Sequence, residues 1–180
     1  MGQSSSKSEE IIQLALDHGY WLYGGYLRDF ISEGLFRDID LGCTLDQVPT
    51  IPNFISKLQE KWRVAVTFDS LRDTGSVYST TIPYLRRIIK MDVDGLEVDI
   101  GVYTTMSEWM KGTTAADFTC NLFYKTKDIP LGLKYAPEGM TPEDIYGMTK
   151  QRKCKIIRGQ DGEIERRRKE LTGRGWSVEG

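Results

Sequence analysis

Residues 22–41 read LYGGYLRDFISEGLFRDIDL. Leu22 and Tyr23 close a short apolar strand at Gly24-Gly25. Leu27, Phe30 and Ile31 then recur at helical spacing until Gly34, and Phe36, Ile39 and Leu41 alternate with charges, as strand residues do. A strand, a glycine turn, a helix and a second strand account for the apolar residues. They leave the arginine and the alternate carboxylates to be explained.

Asp38 and Asp40 lie two apart on the second strand, so both side chains leave the same face. Carboxylates held side by side repel one another unless a cation or a proton sits between them. Hard cations such as Mg²⁺ suit carboxylate oxygens and also bind phosphate. Glu97 and Asp99 repeat the spacing on another predicted strand. If the two strands are neighbours, Asp99 completes a cradle for two metal ions. A lone Asp-x-Asp is also what a solvated strand face looks like. Gly24-Gly25, at a strand-to-helix junction, lets a phosphate approach the backbone. Arg28, in the first turn, is poorly placed for the helix dipole and well suited to grip phosphate oxygens. The plainer alternative is a tight turn with Arg28 paired to Asp29 or Glu33.

Working outward, Ile11, Ile12, Leu14, Ala15 and Leu16 predict a helix over Glu9 to Asp17, ended by His18-Gly19. Asn53 to Lys61 predicts another helix, and RVAVTF, from Arg63, a strand. The polar run DSLRDTGSVYST, from Asp69, reads as a mobile loop. RRIIKMDVDGLEVDIGVY carries the hairpin signal at Asp94-Gly95. Met106 to Tyr124 is expected to be mostly helical, the chain irregular around Pro130, Pro137 and Pro142, and GEIERRRKEL a charged helix. The fold class is α+β, with a small mixed, mostly antiparallel sheet flanked by helices. Residues 1–8 read as a flexible tail, 9–158 as one domain, and 159–180 as a charged helix and tail.

At 180 residues, the chain is long enough for a substantial core, and its net charge of -2 gives no global pull on nucleic acid. Cys43, Cys120 and Cys154 are odd in number and far apart, which suits free thiols in a reducing, cytoplasmic setting. His18 is the only histidine and has no cysteines near it, which argues against zinc and against Ser-His-Asp chemistry. No apolar run can insert stably in a bilayer. The opening MGQSSSK fits N-myristoylation at Gly2; the alternative is a plain polar tail. A single acyl chain would hold the protein at a membrane only peripherally and reversibly.

GGYLRD, followed ten residues after its arginine by DID, resembles the head domain of class II tRNA nucleotidyltransferases (CCA-adding enzymes) and bacterial poly(A) polymerases. These belong to the polymerase-β-like nucleotidyltransferase superfamily. DTGSVYST looks like the family's flexible loop and ADFTCNLFY like its Asp-Phe-Thr segment. The resemblance implies a polymerase-β-like head over roughly Ile11 to Arg158. It implies nucleotide binding by Gly24, Gly25, Arg28, Asp117 and Asn121, and two Mg²⁺ on Asp38 and Asp40 with Asp99. It further implies transfer of a nucleoside monophosphate from an NTP, such as ATP, to an RNA 3′ end in tRNA processing.

The chain departs from the family in two places. Ala115 and Ala116 stand where the family has two arginines, and Glu143-Asp144 lacks the arginine that would complete the base-reading neck motif. A partner subunit supplying the neck is one answer. A head that binds nucleotide or RNA without catalysis is another. Arg72 in the loop reads equally as a substitute phosphate contact and as an ordinary loop arginine. Lys150 to Arg158 and Arg166 to Lys169 could hold an RNA backbone, or pair with the interleaved glutamates. Trp176 fits a packed tail better than a base-stacking surface.

Overall fold

A computed structural model describes residues 2–74, 82–112, 117–157 and 162–180. In chain order the elements are α1 (Gly2–Asp17), β1 (Trp21–Tyr23), α2 (Gly25–Ile31), β2 (Asp38–Thr44), α3 (Ile51–Gln59), β3 (Val64–Asp69) and α4 (Ser70–Thr74). They continue with β4 (Leu85–Val93), β5 (Leu96–Tyr103), α5 (Met106–Lys111), β6 (Phe123–Lys125), β7 (Gly132–Leu133), α6 (Pro142–Lys150), β8 (Lys153–Lys155), α7 (Gly162–Gly173) and β9 (Ser177–Glu179). Short 3-10 turns at Leu45–Thr50 and Thr119–Asn121 join them.

Among the described residues, seven strands form one sheet in the order β3-β4-β5-β2-β1-β6-β7. Every neighbouring pair is antiparallel except β2 and β5, which run parallel. The expected small, mostly antiparallel mixed sheet is therefore present. Its two faces differ because the strands alternate. Ile39, Leu41, Val98 and Ile100 point to one side and pack with Ile11, Ala15, Phe54 and Leu58 from α1 and α3 in the main core. On the other side, Trp21 and Tyr103 join Tyr84, Trp109 and Tyr124 in an aromatic cluster near α5. That face also carries Asp38, Asp40 and Asp99.

The β4–β5 hairpin turns at Asp94-Gly95, both with positive φ (50° and 91°), as the dipeptide signal requires. Other boundaries differ from the sequence expectation. Helix α1 starts at Gly2 rather than Glu9, with Ser8 buried and Lys7 Nζ donating to the Asp94 carbonyl at 2.7 Å, so residues 6–8 belong to the packed helix rather than to a tail. Ser70–Thr74 forms one helical turn, while residues 75–80 of the expected loop lie outside the described set. Among the described residues of the stretch to Tyr124, α-helix is limited to Met106–Lys111, and the others include a 3-10 turn and strand β6. Around Pro142 the chain is helical, because proline suits the first turn and a Thr141–Asp144 capping box closes it.

The C-terminal elements form a separate small core. Ile164, Leu171 and Trp176 pack on Phe118, Cys120 and Cys154, while β9 pairs in parallel with β8. The three cysteines are buried and free, and no described helix is long and apolar enough to cross a membrane. Trp176 is thus a packing residue.

Candidate active site

The β2–β5 register sets Asp38 beside Glu97 and Asp40 beside Asp99, so four carboxylates leave one face of two adjacent strands. The condition the sequence left open, that the two Asp/Glu-x-Asp strands be neighbours, is met. β1 continues the row, with Tyr23 opposite Asp40. Tyr23 and Tyr103 hydroxyls lie 2.9 Å apart at the edge of this row. Burial, and then its neighbour Tyr103, holds the Tyr23 phenol well above its ordinary range.

Crowding of like charge shows in the titration of these acids. Burial, followed by repulsion from Asp38, Asp99 and Glu97, pushes Asp40 up to about 8. Burial and Glu97 push Asp99 up to about 7. Asp38 is raised by burial and Glu97, with partial relief from Arg28. Asp99 Oδ1 is buried and has no hydrogen-bond partner among the described residues. An orphaned carboxylate oxygen among mutually repelling acids fits a hard cation chemically. Yet among the described residues no group of three His, Cys, Asp or Glu side chains converges closely enough to hold a metal ion. The donor set suits Mg²⁺, and a ready three-carboxylate cage is not present.

The glycine turn lies directly above these acids. Gly24 has φ 80° and ψ -142°, a conformation that only glycine adopts without strain, and a Cβ there would come within 3.3 Å of Asp40 Oδ2. Helix α2 has seven residues, so its dipole is weak. Arg28 donates from Nε to Asp29 Oδ1 at 3.0 Å, from Nη2 to Asp29 Oδ2 at 3.2 Å, and from Nη1 to Asn121 Oδ1 at 3.2 Å. The plain pairing with Asp29 and a place in the site are both true of Arg28. Asn121 in turn donates from Nδ2 to Asp117 Oδ1 at 3.0 Å.

Gly24, Gly25, Arg28, Asp38, Asp40, Asp117 and Asn121 all line one cleft of about 390 Å³. Asp99 lies behind Asp40 rather than on the lining. Ala115 and Ala116 fall outside the described residues. Arg72 pairs with Asp73 on an exposed surface, away from the cleft. Glu143 and Asp144 belong to the first turn of α6, where Asp144 caps the helix. Of the basic C-terminal run, Arg166 is taken up by Glu163 and Glu170.

Sequence reading missed two contributors. Arg174 lines the cleft, donating to the Leu35 carbonyl at 2.7 Å and pairing with Asp29 at 3.2 Å. Arg167, expected to hold an RNA backbone or to pair with the interleaved glutamates, does pair with Glu163, and it also enters the cleft and pairs with the buried Asp117. Local sequence carries no signal for either cleft contact, because the partners there are dozens of residues away.

No family model matches the chain, and no curated protein matches it. Solved structures do. A structure described as a tRNA-processing enzyme in apo form I matches with TM-score 0.59 at 13% identity, over 99% of this chain and 44% of that one. The Thermotoga maritima CCA-adding enzyme complexed with tRNA matches with TM-score 0.57 at 13% identity, over 100% of this chain and 40% of its own. A CCA-adding enzyme complexed with ATP matches with TM-score 0.53 at 15% identity, over 88% and 34%. The chain thus spans less than half the length of these structures. At such identities the likeness shows the fold alone, the one this chain shares with part of these structures.

Proposed function

We propose that the chain is a minimal nucleotidyltransferase that moves a nucleoside monophosphate from an NTP to a hydroxyl, the 3′ end of an RNA, and releases pyrophosphate. The observation that carries this reading is the β2–β5 register, which stacks Asp38, Asp40 and Asp99 beneath the Gly24 turn. Support comes from proteins of the same fold solved with CTP, with ATP and with tRNA.

Asp38 and Asp40, with Asp99, would hold Mg²⁺, which when bound offsets phosphate charge and aligns the attacking and leaving oxygens. The chain's own residues do the rest. Gly24 and Gly25 leave room for the phosphates against the backbone, and Arg28 offers them its guanidinium. Asp117 and Asn121 hold Arg28 in place from the other side. The acceptor oxygen forms its bond to the α-phosphorus as the bond to pyrophosphate breaks. The hydroxyl proton passes to Asp99 or Glu97.

A second reading, a head that binds nucleotide without transferring it, draws on the absence of three converging ligands among the described residues. Incubating the protein with Mg²⁺, each labelled NTP in turn and a small-RNA pool separates the two. Label joined to RNA by the wild type and not by Asp38→Ala/Asp40→Ala is the expected result. Mg²⁺-dependent NTP binding with no transfer, alone or with added cell extract to supply a partner subunit, overturns it in favour of the binding head.

A further inference from the structure

Resting on that reading, we propose that the C-terminal helix α7 and the turn that follows it supply the triphosphate grip of the nucleotide site through Arg167 and Arg174. Among the described residues the cleft's cations are Arg28, Arg37, Arg167 and Arg174, and the last two are contributed by the C-terminal segment. The segment 113–116, Thr-Thr-Ala-Ala, carries no charge with which to do the same work.

The arginine wall is one continuous chain of contacts. Arg174 pairs with Asp29, Asp29 with Arg28, Arg28 with Asn121, Asn121 with Asp117, and Asp117 with Arg167. Asp29 and Asp117 are 2% and 1% exposed, so the anchoring acids lie beneath the guanidiniums rather than in front of them. Arg167 remains 43% exposed, and its described bonds, to Asp117 and Glu163, engage two of its five donors. The remainder can serve a phosphate oxygen. Ile164, Leu171 and Trp176 fix the helix from below, so both arginines are held before any ligand arrives. Their planar forks suit phosphate oxygens, and Asp38 and Asp40, which line the same cleft, suit the cation that accompanies a triphosphate.

The test compares binding of ATP, CTP, GTP and UTP with binding of AMP to the full chain in Mg²⁺, by titration calorimetry. Arg167→Ala and Arg174→Ala are each expected to weaken ATP by about tenfold or more and AMP by less than about twofold, since AMP lacks the β- and γ-phosphates. Arg166→Ala, on the outer face of α7, is the control that leaves both unchanged. Arg167→Lys keeps a charge on Asp117 but loses the fork. With an unfolding midpoint matching the wild type, it should still lose ATP selectively, which guards against a variant that merely unfolds. Equal losses for ATP and AMP, or a loss that follows the base across the four NTPs, would overturn the inference in favour of a ribose or base contact. Unchanged ATP binding in both variants would overturn it and leave the proposed function standing. Failure of the wild type to bind any NTP would overturn both.

Discussion

Two sets of acids lie in or beside the same cleft and are treated oppositely. Asp29 and Asp117 are almost wholly buried, and each is held by a cation and a second partner: Arg28 and Arg174 for the first, Arg167 and Asn121 for the second. Asp40 and Asp99 lie in a row of carboxylates on β2 and β5, where Lys90, across from Asp99, offsets only part of the repulsion on these two acids. The first set is compensated within the fold and acts as scaffold. The second is left largely uncompensated, at a cost to stability that a bound cation or a proton would relieve. The same residue type, a few residues apart in sequence, therefore serves two ends, and the presence of an arginine tells them apart.

The comparison is most exposed at Asp29. Replacing it by alanine leaves Arg28 and Arg174 without their shared carboxylate in a largely dry environment. Breaking a buried ion pair of this kind costs about 3–5 kcal/mol, so Asp29→Ala should shift the urea midpoint far down or prevent folding. Asp29→Asn, which keeps the shape and part of the hydrogen bonding, should fall between it and the wild type. A loss under about 1 kcal/mol for the alanine variant, the range of exposed pairs, would mean that Asp29 is no scaffold at all.

Asp40→Asn should move stability the other way. The folded-state value of Asp40 is raised to about 8, whereas an unfolded aspartate titrates near 4. Between those values the folded chain holds a proton that the unfolded chain has lost, so Asp40's contribution is complete below about pH 4 and drains away as pH rises through about 8. In metal-free buffer at pH 8, Asp40→Asn is therefore expected to gain on the order of 1 kcal/mol, or a few degrees in Tm. The gain should vanish towards pH 4. Adding Mg²⁺ should stabilise the wild type and leave the variant unmoved. A variant less stable than the wild type at pH 8 would show that the row of acids is compensated after all.

Much of this arrangement was legible in the sequence because it is local. Asp38-x-Asp40 follows Gly24-Gly25 and Arg28 within one turn-helix-strand unit, and the Asp94-Gly95 turn fixes how Glu97-x-Asp99 is presented. That β5 lies parallel to β2 was not legible, since period-2 alternation gives a strand's face but not its neighbour. The stretch after Met106 misled for a physical reason. Phe118, Cys120 and Leu122 are all fully buried, at a spacing of two that no single helix face produces. Phe118 and Cys120 are buried by α7 and β8, in a core the local sequence does not reveal, while Leu122 joins the main one. Pro142 was read as a breaker, although Thr141 before it and Asp144 after it spelled a capped helix start. Arg174 had no local signal at all: its partner carbonyl, Leu35, is 139 residues away.

The smallest effect belongs to the neighbour of Arg167. Arg166 pairs with Glu163 and Glu170 one turn to either side, on the exposed face of α7. Such pairs gain little because water and salt already screen both charges and two long side chains must be held still. Arg166→Ala should leave the thermal midpoint and its salt dependence where they are. Arg167 sits one residue on, and that single step turns its side chain towards Asp117, an acid with almost no access to water. Removing Arg167 strips a buried charge of its counter-ion, so that variant should melt several degrees lower at the same salt. If the two alanine variants melted together, the two faces of α7 would be energetically alike. The buried position of Asp117 would then count for nothing, and the contrast between compensated and uncompensated acids would lose its second example.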